Sequence, residues 1–176
     1  INEKSCGPDH PGVATALNNL AHLLHDTNRF KEAEPLYRRA MEIDAKSFGP
    51  DHLDMVLHLN NLAGLLQETN WLKEAEPLMR RSLEIAEKSL GPDHPNVATA
   101  HNNLAELLRA ANRLKEAEPL YRRATEIWEK GLGPDHPNVA AALNNLARLL
   151  RDTNRLKEAE PLYRRATEIW EKGLGP

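Results

Sequence analysis

Hydrophobic residues recur along this chain at spacings of three and four, the period of an amphipathic helix. The first such stripe, between Pro11 and about Asp26, consists of Val13, Leu17, Leu20, Ala21 and Leu24. A second stripe follows after a short break and consists of Ala33, Leu36, Tyr37, Ala40, Ile43 and position 44. The pattern predicts a helix A over residues 11–26 and a helix B from about Phe30 to Ser47.

Residues that favour helix ends border both segments. Pro11 suits a first helical position, where its missing N–H costs nothing, and either Asp9 or His10 could cap that helix. Asn28 lies between the two helices and tolerates the left-handed backbone that ends a helix. We therefore expect a tight turn at this asparagine.

Proline and glycine mark the rest of helix B. Pro35 lies inside the predicted helix and removes one backbone hydrogen bond, so we expect a tolerated bend near the start of the helix. Gly49 and Pro50 then end the helix.

The same pattern occurs four times with a period of 42 residues and no insertion or deletion. Gly-Pro-Asp-His begins at Gly7, Gly49, Gly91 and Gly133, and Asn-Asn-Leu-Ala begins at Asn18, Asn60, Asn102 and Asn144. The third and fourth copies differ at five of 42 positions. A fixed period in this range is typical of stacked repeats, each of which buries its apolar stripe against its neighbours. The sequence therefore predicts an all-α solenoid of antiparallel helix pairs.

We expect one continuous solenoid with repeats over residues 7–48, 49–90, 91–132 and 133–176. Residues 1–6 align with Ile85 to Leu90, and so they are interpreted as the end of a preceding helix B. The chain thus resembles a segment cut from a longer array, and neither end carries the polar capping helix that usually closes a solenoid. Such complementary ends predict head-to-tail association between copies, with Trp170 near the junction.

These repeats resemble the tetratricopeptide repeat. The residues that carry the resemblance in the first repeat are Leu17, Leu20, Ala21, Leu24, Ala33, Tyr37 and Ala40. The period of 42 exceeds the usual length of about 34. Together with Leu-Asn-Asn-Leu-Ala and Lys-Glu-Ala-Glu-Pro-Leu, it is similar to the kinesin-light-chain subtype. The resemblance implies a right-handed α-solenoid that acts as a scaffold for protein–protein interaction.

Some residues depart from the repeat pattern. His101 occupies a large apolar position and is interpreted as a structural residue, with a ligand role as the alternative. The second repeat differs most, because Leu53 replaces the usual proline and Trp71 replaces an arginine. Trp71 either covers a neighbouring residue or offers an exposed binding group.

The composition excludes several classes of function. A net charge of −3 gives no field suited to nucleic acid or to an anionic membrane, and no apolar run of about 18 residues exists. The single cysteine, Cys6, permits a reducing compartment, and we expect a cytoplasmic protein.

The Asp-His pairs at each repeat start, beginning at Asp9, Asp51, Asp93 and Asp135, could suggest a metal site. Zinc needs about four ligands that converge on the ion, whereas these pairs lie on successive loops. We interpret them as caps and turns and expect no metal and no cofactor. Cys6 has no neighbouring base, and no nucleophile or phosphate-loop motif occurs, so we expect no enzyme.

The paired asparagines are the best candidate for a functional site. A carboxamide both donates and accepts hydrogen bonds, as a peptide backbone requires, and the resemblance implies that the second asparagine of each tract binds an extended peptide on the concave face. The candidate residues are Asn18, Asn19, Asn60, Asn61, Asn102, Asn103, Asn144 and Asn145. The alternative is that these side chains only join adjacent helices.

Arg109, Arg148 and Arg151 complete the candidate site and favour an acidic partner, although a solvated face explains them equally well. The function that we predict is a non-catalytic module that binds an extended peptide of a protein partner. A structural spacer or self-assembling repeat array without a peptide ligand is the alternative. Among the five differences between the third and fourth repeats, those at Glu106/Arg148, Ala110/Asp152 and Thr99/Ala141 fall on the expected concave face, which favours binding.

Overall fold

The computed structural model describes residues 7–174, and across these residues the chain forms eight α-helices and no β-strand. The helices are α1 (Pro11–Asp26), α2 (Phe30–Phe48), α3 (Met55–Glu68), α4 (Leu72–Leu90), α5 (Pro95–Ala110), α6 (Leu114–Leu132), α7 (Pro137–Asp152) and α8 (Leu156–Leu174). The odd-numbered helices are the predicted A helices and the even-numbered ones the B helices. The expectations for residues 1–6, including Cys6, lie outside the described residues.

The predicted helix ends of the first repeat are confirmed, with the end of helix B one residue later at Phe48. Asparagine has a left-handed backbone in every A–B turn, with φ of 59° at Asn28, 64° at Asn70, 60° at Asn112 and 60° at Asn154. The N–H of Arg29 then donates to the carbonyl of Leu24 at 2.8 Å. This closes the turn and brings each B helix back against its own A helix.

The helix caps use histidine rather than the preceding aspartate. The Nδ1 atom of His10 accepts from the N–H of Gly12 at 3.0 Å, and His94 and His136 make the same bond at the starts of α5 and α7. The expected capping role is therefore confirmed in the first, third and fourth repeats. In the second repeat, where Leu53 replaces proline, the helix begins later, at Met55, and Asp54 makes no capping bond through its side chain.

The chain divides into two compact units, Ile1–Ser89 and Leu90–Pro176. In unit 1, Val13 and Ala14 of α1 pack with Ala40 and Ile43 of α2, while Met55 and Leu59 of α3 pack with Ile85 of α4. In unit 2, the largest fully buried side chains are Leu104, Leu107, Leu108, Tyr121, Ile127, Leu143 and Leu149. The close packing of helix pairs confirms the predicted fold class.

Leu20 is a correction to the predicted core. It is 47% exposed, although its equivalents Leu62, Leu104 and Leu146 are buried. Those side chains belong to A helices that follow a B helix in the described residues, whereas no described helix precedes α1. The apolar stripe therefore predicts burial only where a preceding helix is present.

None of the described helices combines the length and the apolar character that are needed to cross a membrane.

Candidate functional site

In each unit, neighbouring A helices present the asparagine tracts and the polar residues that follow them. We call this surface the A-helix face. In unit 1 it consists of Asn18, Asn19, His22, His25 and Asp26 on α1 and of Asn60, Asn61, Gly64, Gln67 and Glu68 on α3. In unit 2 it consists of Asn102, Asn103, Glu106 and Arg109 on α5 and of Asn144, Asn145, Arg148, Arg151 and Asp152 on α7.

The asparagines bond to each other across adjacent A helices. In unit 1, Nδ2 of Asn61 donates to Oδ1 of Asn18 at 3.0 Å, and in unit 2, Nδ2 of Asn145 donates to Oδ1 of Asn102 at 3.1 Å. Each bond joins the second asparagine of one tract to the first asparagine of the tract before it. In unit 2, Oδ1 of Asn145 also accepts from Nη2 of Arg148 at 3.3 Å. Because a carboxamide has two N–H donors and an oxygen with two lone pairs, each of these side chains keeps further hydrogen-bonding capacity.

The remaining tract residues differ in exposure. Asn19 is exposed, while Asn60, Asn103 and Asn144 are half-buried. Asn18 is the most enclosed of the set and is buried. A half-buried amide can still contact a ligand.

All three candidate arginines already have carboxylate partners. Glu106 lies between Arg109 and Arg148: Nη2 of Arg148 donates to its Oε1, and Nε of Arg109 donates to its Oε2 at 3.2 Å. Arg109 also donates to Oδ2 of Asp152 at 3.4 Å. Although burial opposes its charge, the Glu106 carboxylate raises the pKa of the Arg109 guanidinium above its ordinary value.

Arg151 is the exposed member of the three, and its Nη2 lies 3.5 Å from Oδ1 of Asp152. Three arginines therefore share two carboxylates on this face of unit 2. Below them, burial and the neighbouring Glu106 raise the pKa of the Tyr121 phenol, which stays neutral. The A-helix face of unit 2 therefore has an excess of positive charge. The two carboxylates make this excess smaller than three arginines alone would give.

Unit 1 carries histidines where unit 2 carries these charges. Nδ1 of His22 lies 3.1 Å from Oδ2 of Asp26, and Nε2 of His25 lies 3.1 Å from Oε2 of Glu68. The His25 ring meets the Tyr37 ring edge-on with centroids 6.5 Å apart. The A-helix face of unit 1 thus carries the Asp26 and Glu68 carboxylates and no arginine, whereas the A-helix face of unit 2 carries three arginines and two carboxylates.

The sequence reasoning missed a buried polar pair at the junction of α2 and α3. Nε2 of His58 lies 2.6 Å from Oδ2 of Asp44, and both residues are buried. Position 44 was recognised as variable, but its partner was not. The repeats contain a signal for this pair, because position 58 varies together with position 44. Asp44 corresponds to Trp128, and His58 corresponds to Ala142.

The other singled-out residues are placed as follows. His101 is buried, in agreement with a structural role, whereas Trp71 is 60% exposed in its turn. Within residues 7–174, no group of three or more histidine, cysteine, aspartate or glutamate side chains is arranged to hold a metal ion.

Comparison with known proteins identifies the family to which this chain belongs. The tetratricopeptide-repeat sequence profile matches residues 1–46, 14–70, 54–130 and 113–172, and the chain belongs to this family. Repeats of this family generally mediate protein–protein interaction. None of the curated protein sequences matches the chain.

Several solved structures have the same fold. A kinesin-light-chain-type protein of Podosopora anserina with nearly identical TPR-like repeats superposes with a TM-score of 0.82 at 25% identity, covering 98% of this chain and 82% of that chain. BtubC (BKLC) from P. vanneervenii gives a TM-score of 0.86 at 23% identity, covering 95% of this chain and 67% of that chain. The apo form of RapI superposes with a TM-score of 0.81 at 19% identity, covering 92% of this chain and 57% of that chain. The neighbours confirm the kinesin-light-chain-like repeat type.

Proposed function

We propose that the chain is a non-catalytic protein-interaction module that binds an extended peptide on the A-helix face, which is the concave face in a solenoid of this class. The observation that carries the proposal is the arrangement of the asparagines. Four of the eight carboxamides are linked in two pairs across adjacent A helices, which holds these four in place while donors and acceptors remain for a ligand. An ordered amide loses little conformational entropy when a peptide binds.

The variation between repeats supports the same proposal. Positions 106 and 148 and positions 110 and 152 differ between two otherwise nearly identical repeats, and all four lie on α5 and α7. A surface that recognises one ligand along its length needs such differences, whereas a uniform spacer does not.

The test uses a library of random-sequence peptides selected against the intact chain. The selected peptides are then measured against Asn103→Ala/Asn145→Ala. We expect binding to be lost, because two carboxamides that would bond the peptide backbone are removed. The melting temperature, measured by circular dichroism, should fall only slightly, since the lost Asn145–Asn102 hydrogen bond contributes about 1 kcal/mol to stability.

Asn96→Ala/Asn138→Ala is the matched control. It makes the same chemical change in the same two helices, at exposed positions in their first turns. Peptide binding should be unchanged in this variant. Equal affinities for both double variants and the unmodified chain would show that the asparagines have only a structural role.

We further propose that the partner segment is acidic where it crosses unit 2, because three arginines there share two carboxylates. The partner in this proposal is a protein or peptide rather than a nucleic acid or a membrane, since a net charge of −3 gives no long-range field that attracts either one. A cytoplasmic location is part of this proposal.

The alternative is a spacer or self-assembling array in which copies associate end to end. The near identity of the third and fourth repeats, which differ at five of 42 positions, favours this alternative.

A further inference from the structure

The A-helix faces of the two units can be compared position by position, because the repeats have the same length and each unit contains two neighbouring A helices. In unit 2, Nη2 of Arg148 on α7 donates to Oε1 of Glu106 on α5. The same nitrogen donates to Oδ1 of Asn145 at 3.3 Å. The guanidinium of Arg148 therefore fills the space between these two helices, and only 33% of its side chain is exposed.

The same place in unit 1 receives no side chain from α3. Gly64 is the equivalent of Arg148, and His22 on α1 is the equivalent of Glu106. A Cβ atom added to Gly64 would meet no atom of the described residues within 4 Å beyond its own stretch of helix. His22 instead pairs along its own helix, where its Nδ1 lies 3.1 Å from Oδ2 of Asp26. We call this open space between α1 and α3 the Gly64 gap.

The hydrogen-bonding group beside the arginine is retained in unit 1. Nδ2 of Asn61 donates to Oδ1 of Asn18 at 3.0 Å, and the equivalent bond of Asn145 in unit 2 is 3.1 Å long. The carboxamide of Asn61 is thus held as that of Asn145 is held, and the Asn145 oxygen accepts from Arg148. Because Gly64 has no side chain, the Asn61 oxygen can accept from a ligand that enters the Gly64 gap.

A buried tyrosine on the B helix shows which charges converge here in unit 2. Burial and the Glu106 carboxylate raise the pKa of the Tyr121 phenol, while Arg109 and Arg148 lower it. The Tyr121 hydroxyl is therefore within electrostatic reach of one carboxylate and two guanidinium groups.

The equivalent tyrosine in unit 1 has a different set of charges around it. Burial raises the pKa of the Tyr37 phenol, and the carboxylates of Asp26 and Glu68 raise it further. Glu68 is brought close by His25, whose Nε2 lies 3.1 Å from Oε2 of Glu68 and whose ring meets Tyr37 edge-on. Two carboxylates thus act on this point in unit 1, where the cations of unit 2 have no arginine counterparts.

We propose that unit 1 binds a basic side chain of the partner, a lysine or an arginine, in the Gly64 gap. The incoming cation takes the place that Arg148 has in unit 2, donates to Oδ1 of Asn61 and is attracted by the carboxylates of Asp26 and Glu68. This inference rests on the proposed function, because it concerns the same A-helix face, and it adds a basic residue to the acidic one proposed for unit 2.

Leu57 gives the aliphatic part of such a side chain an apolar neighbour. It lies two turns before Gly64 on the same face of α3 and is 56% exposed. Lysine and arginine commonly rest their methylene groups on such a surface while the charged end makes polar contacts. Both carboxylates are more than half exposed, so the attraction should weaken as salt is added.

The test uses an acetylated heptapeptide that carries one arginine among glycines and serines, together with the same peptide in which citrulline replaces arginine. Each peptide is titrated into the intact, isotope-labelled chain, and the amide signals are followed by two-dimensional NMR. We expect the arginine peptide to shift the signals of Gly64 and of the Asn61 carboxamide. Citrulline has nearly the same shape without the charge, and its peptide should bind about tenfold more weakly.

Substitution of the glycine tests the position of the site. Gly64→Arg places a guanidinium where unit 2 has Arg148, and it should lower the affinity for the arginine peptide about tenfold or more. His22→Glu/Gly64→Arg copies the complete Glu106–Arg148 pair and should have the same effect, so the test does not depend on one variant. Ser89→Arg is the matched control, because it adds the same charge at an exposed position of α4.

Substitution of a carboxylate tests the charge. Glu68→Gln should weaken binding of the arginine peptide several-fold and leave binding of the citrulline peptide unchanged. Glu42→Gln, at an exposed position of α2, is its control and should change neither affinity. Circular dichroism melts establish that every variant is folded.

Three results would overturn the proposal. The first is equal affinity of the arginine and citrulline peptides for the unmodified chain. The second is a folded Gly64→Arg variant that binds the arginine peptide as tightly as Ser89→Arg does. The third is a titration that leaves the signals of Gly64 and Asn61 unshifted.

The same peptides separate this inference from the proposed function. Asn103→Ala/Asn145→Ala changes unit 2 alone, so the arginine peptide should bind this variant unchanged. Arginine binding at Gly64 together with an intact affinity of this variant for the selected peptides would remove the asparagine proposal and keep this inference. Loss of the selected peptides in this variant, without arginine binding at Gly64, would do the reverse.

Discussion

At the scale of single residues, the decisive feature of unit 2 is that Glu106 stands where a ligand carboxylate would stand. It accepts from both Arg109 and Arg148. Both arginines are less than half exposed, so their pairing with Glu106 is screened less than an open surface pair. An acidic peptide must therefore compete with an internal carboxylate for the same donors.

This competition predicts the effect of Glu106→Gln. The substitution keeps the shape and removes the charge, so Arg109 and Arg148 become available and the affinity for acidic peptides should rise about tenfold. Glu126→Gln, on the exposed outer surface of α6, is the control and should change nothing. Fluorescence anisotropy with aspartate-rich and lysine-rich peptides gives the readout. An equal gain for both peptides would argue against carboxylate recognition.

At the scale of helices, the two intra-unit junctions use different chemistry on the same backbone geometry. Asp44 on α2 meets His58 on α3 at 2.6 Å in a buried site, whereas Trp128 and Ala142 are buried at the equivalent positions. Burying two ionisable groups has a desolvation cost that an apolar pair of similar volume avoids. We expect the polar pair to contribute pairing specificity rather than stability.

We therefore predict that Asp44→Ala lowers the free energy of unfolding by about 2 kcal/mol or more, because His58 loses its buried partner. Asp44→Trp/His58→Ala copies the α6–α7 junction and should restore or exceed the original stability. Asp44→Trp alone has no room beside His58 and should be destabilising. Urea denaturation followed by circular dichroism measures all three, and additive effects in the double variant would refute the coupling of these positions.

At the scale of the whole molecule, the chain consists of two compact units that differ in their interior. Unit 2 has the fully buried Tyr121, Ile127 and Leu149, together with Trp128. Unit 1 has the ionisable Asp44–His58 pair at the corresponding junction. Since each repeat is stabilised mainly by its neighbours, local stability can differ along one chain.

The backbone amides of α6 and α7 should consequently exchange with solvent about tenfold more slowly than those of α2 and α3, a difference of about 1.4 kcal/mol. Native-state hydrogen exchange measured by mass spectrometry resolves the helices individually. In the Asp44→Trp/His58→Ala variant, the difference in exchange rate between the two pairs of helices should become smaller. Faster exchange in α6 and α7 than in α2 and α3 would contradict our expectation that the α2–α3 junction is the less stable one.

The sequence by itself determined the repeat, the helices and their turns. A spacing of three and four specifies helices that bury one face, Asn28 and its equivalents suit a left-handed turn, and a glycine ends the first and third B helices. These features depend on contacts between residues close in the chain, and so they follow from local pattern.

Only the tertiary structure decided which side chains meet. Asn145 with Asn102, Arg148 with Glu106 and His58 with Asp44 are all contacts between helices. It likewise decided that Leu20 is exposed while Leu146 is buried, although both continue the same apolar stripe. A periodic pattern fixes the face on which a residue lies, but the partner on that face belongs to another helix, and that partner determines burial, charge pairing and the capacity to bind.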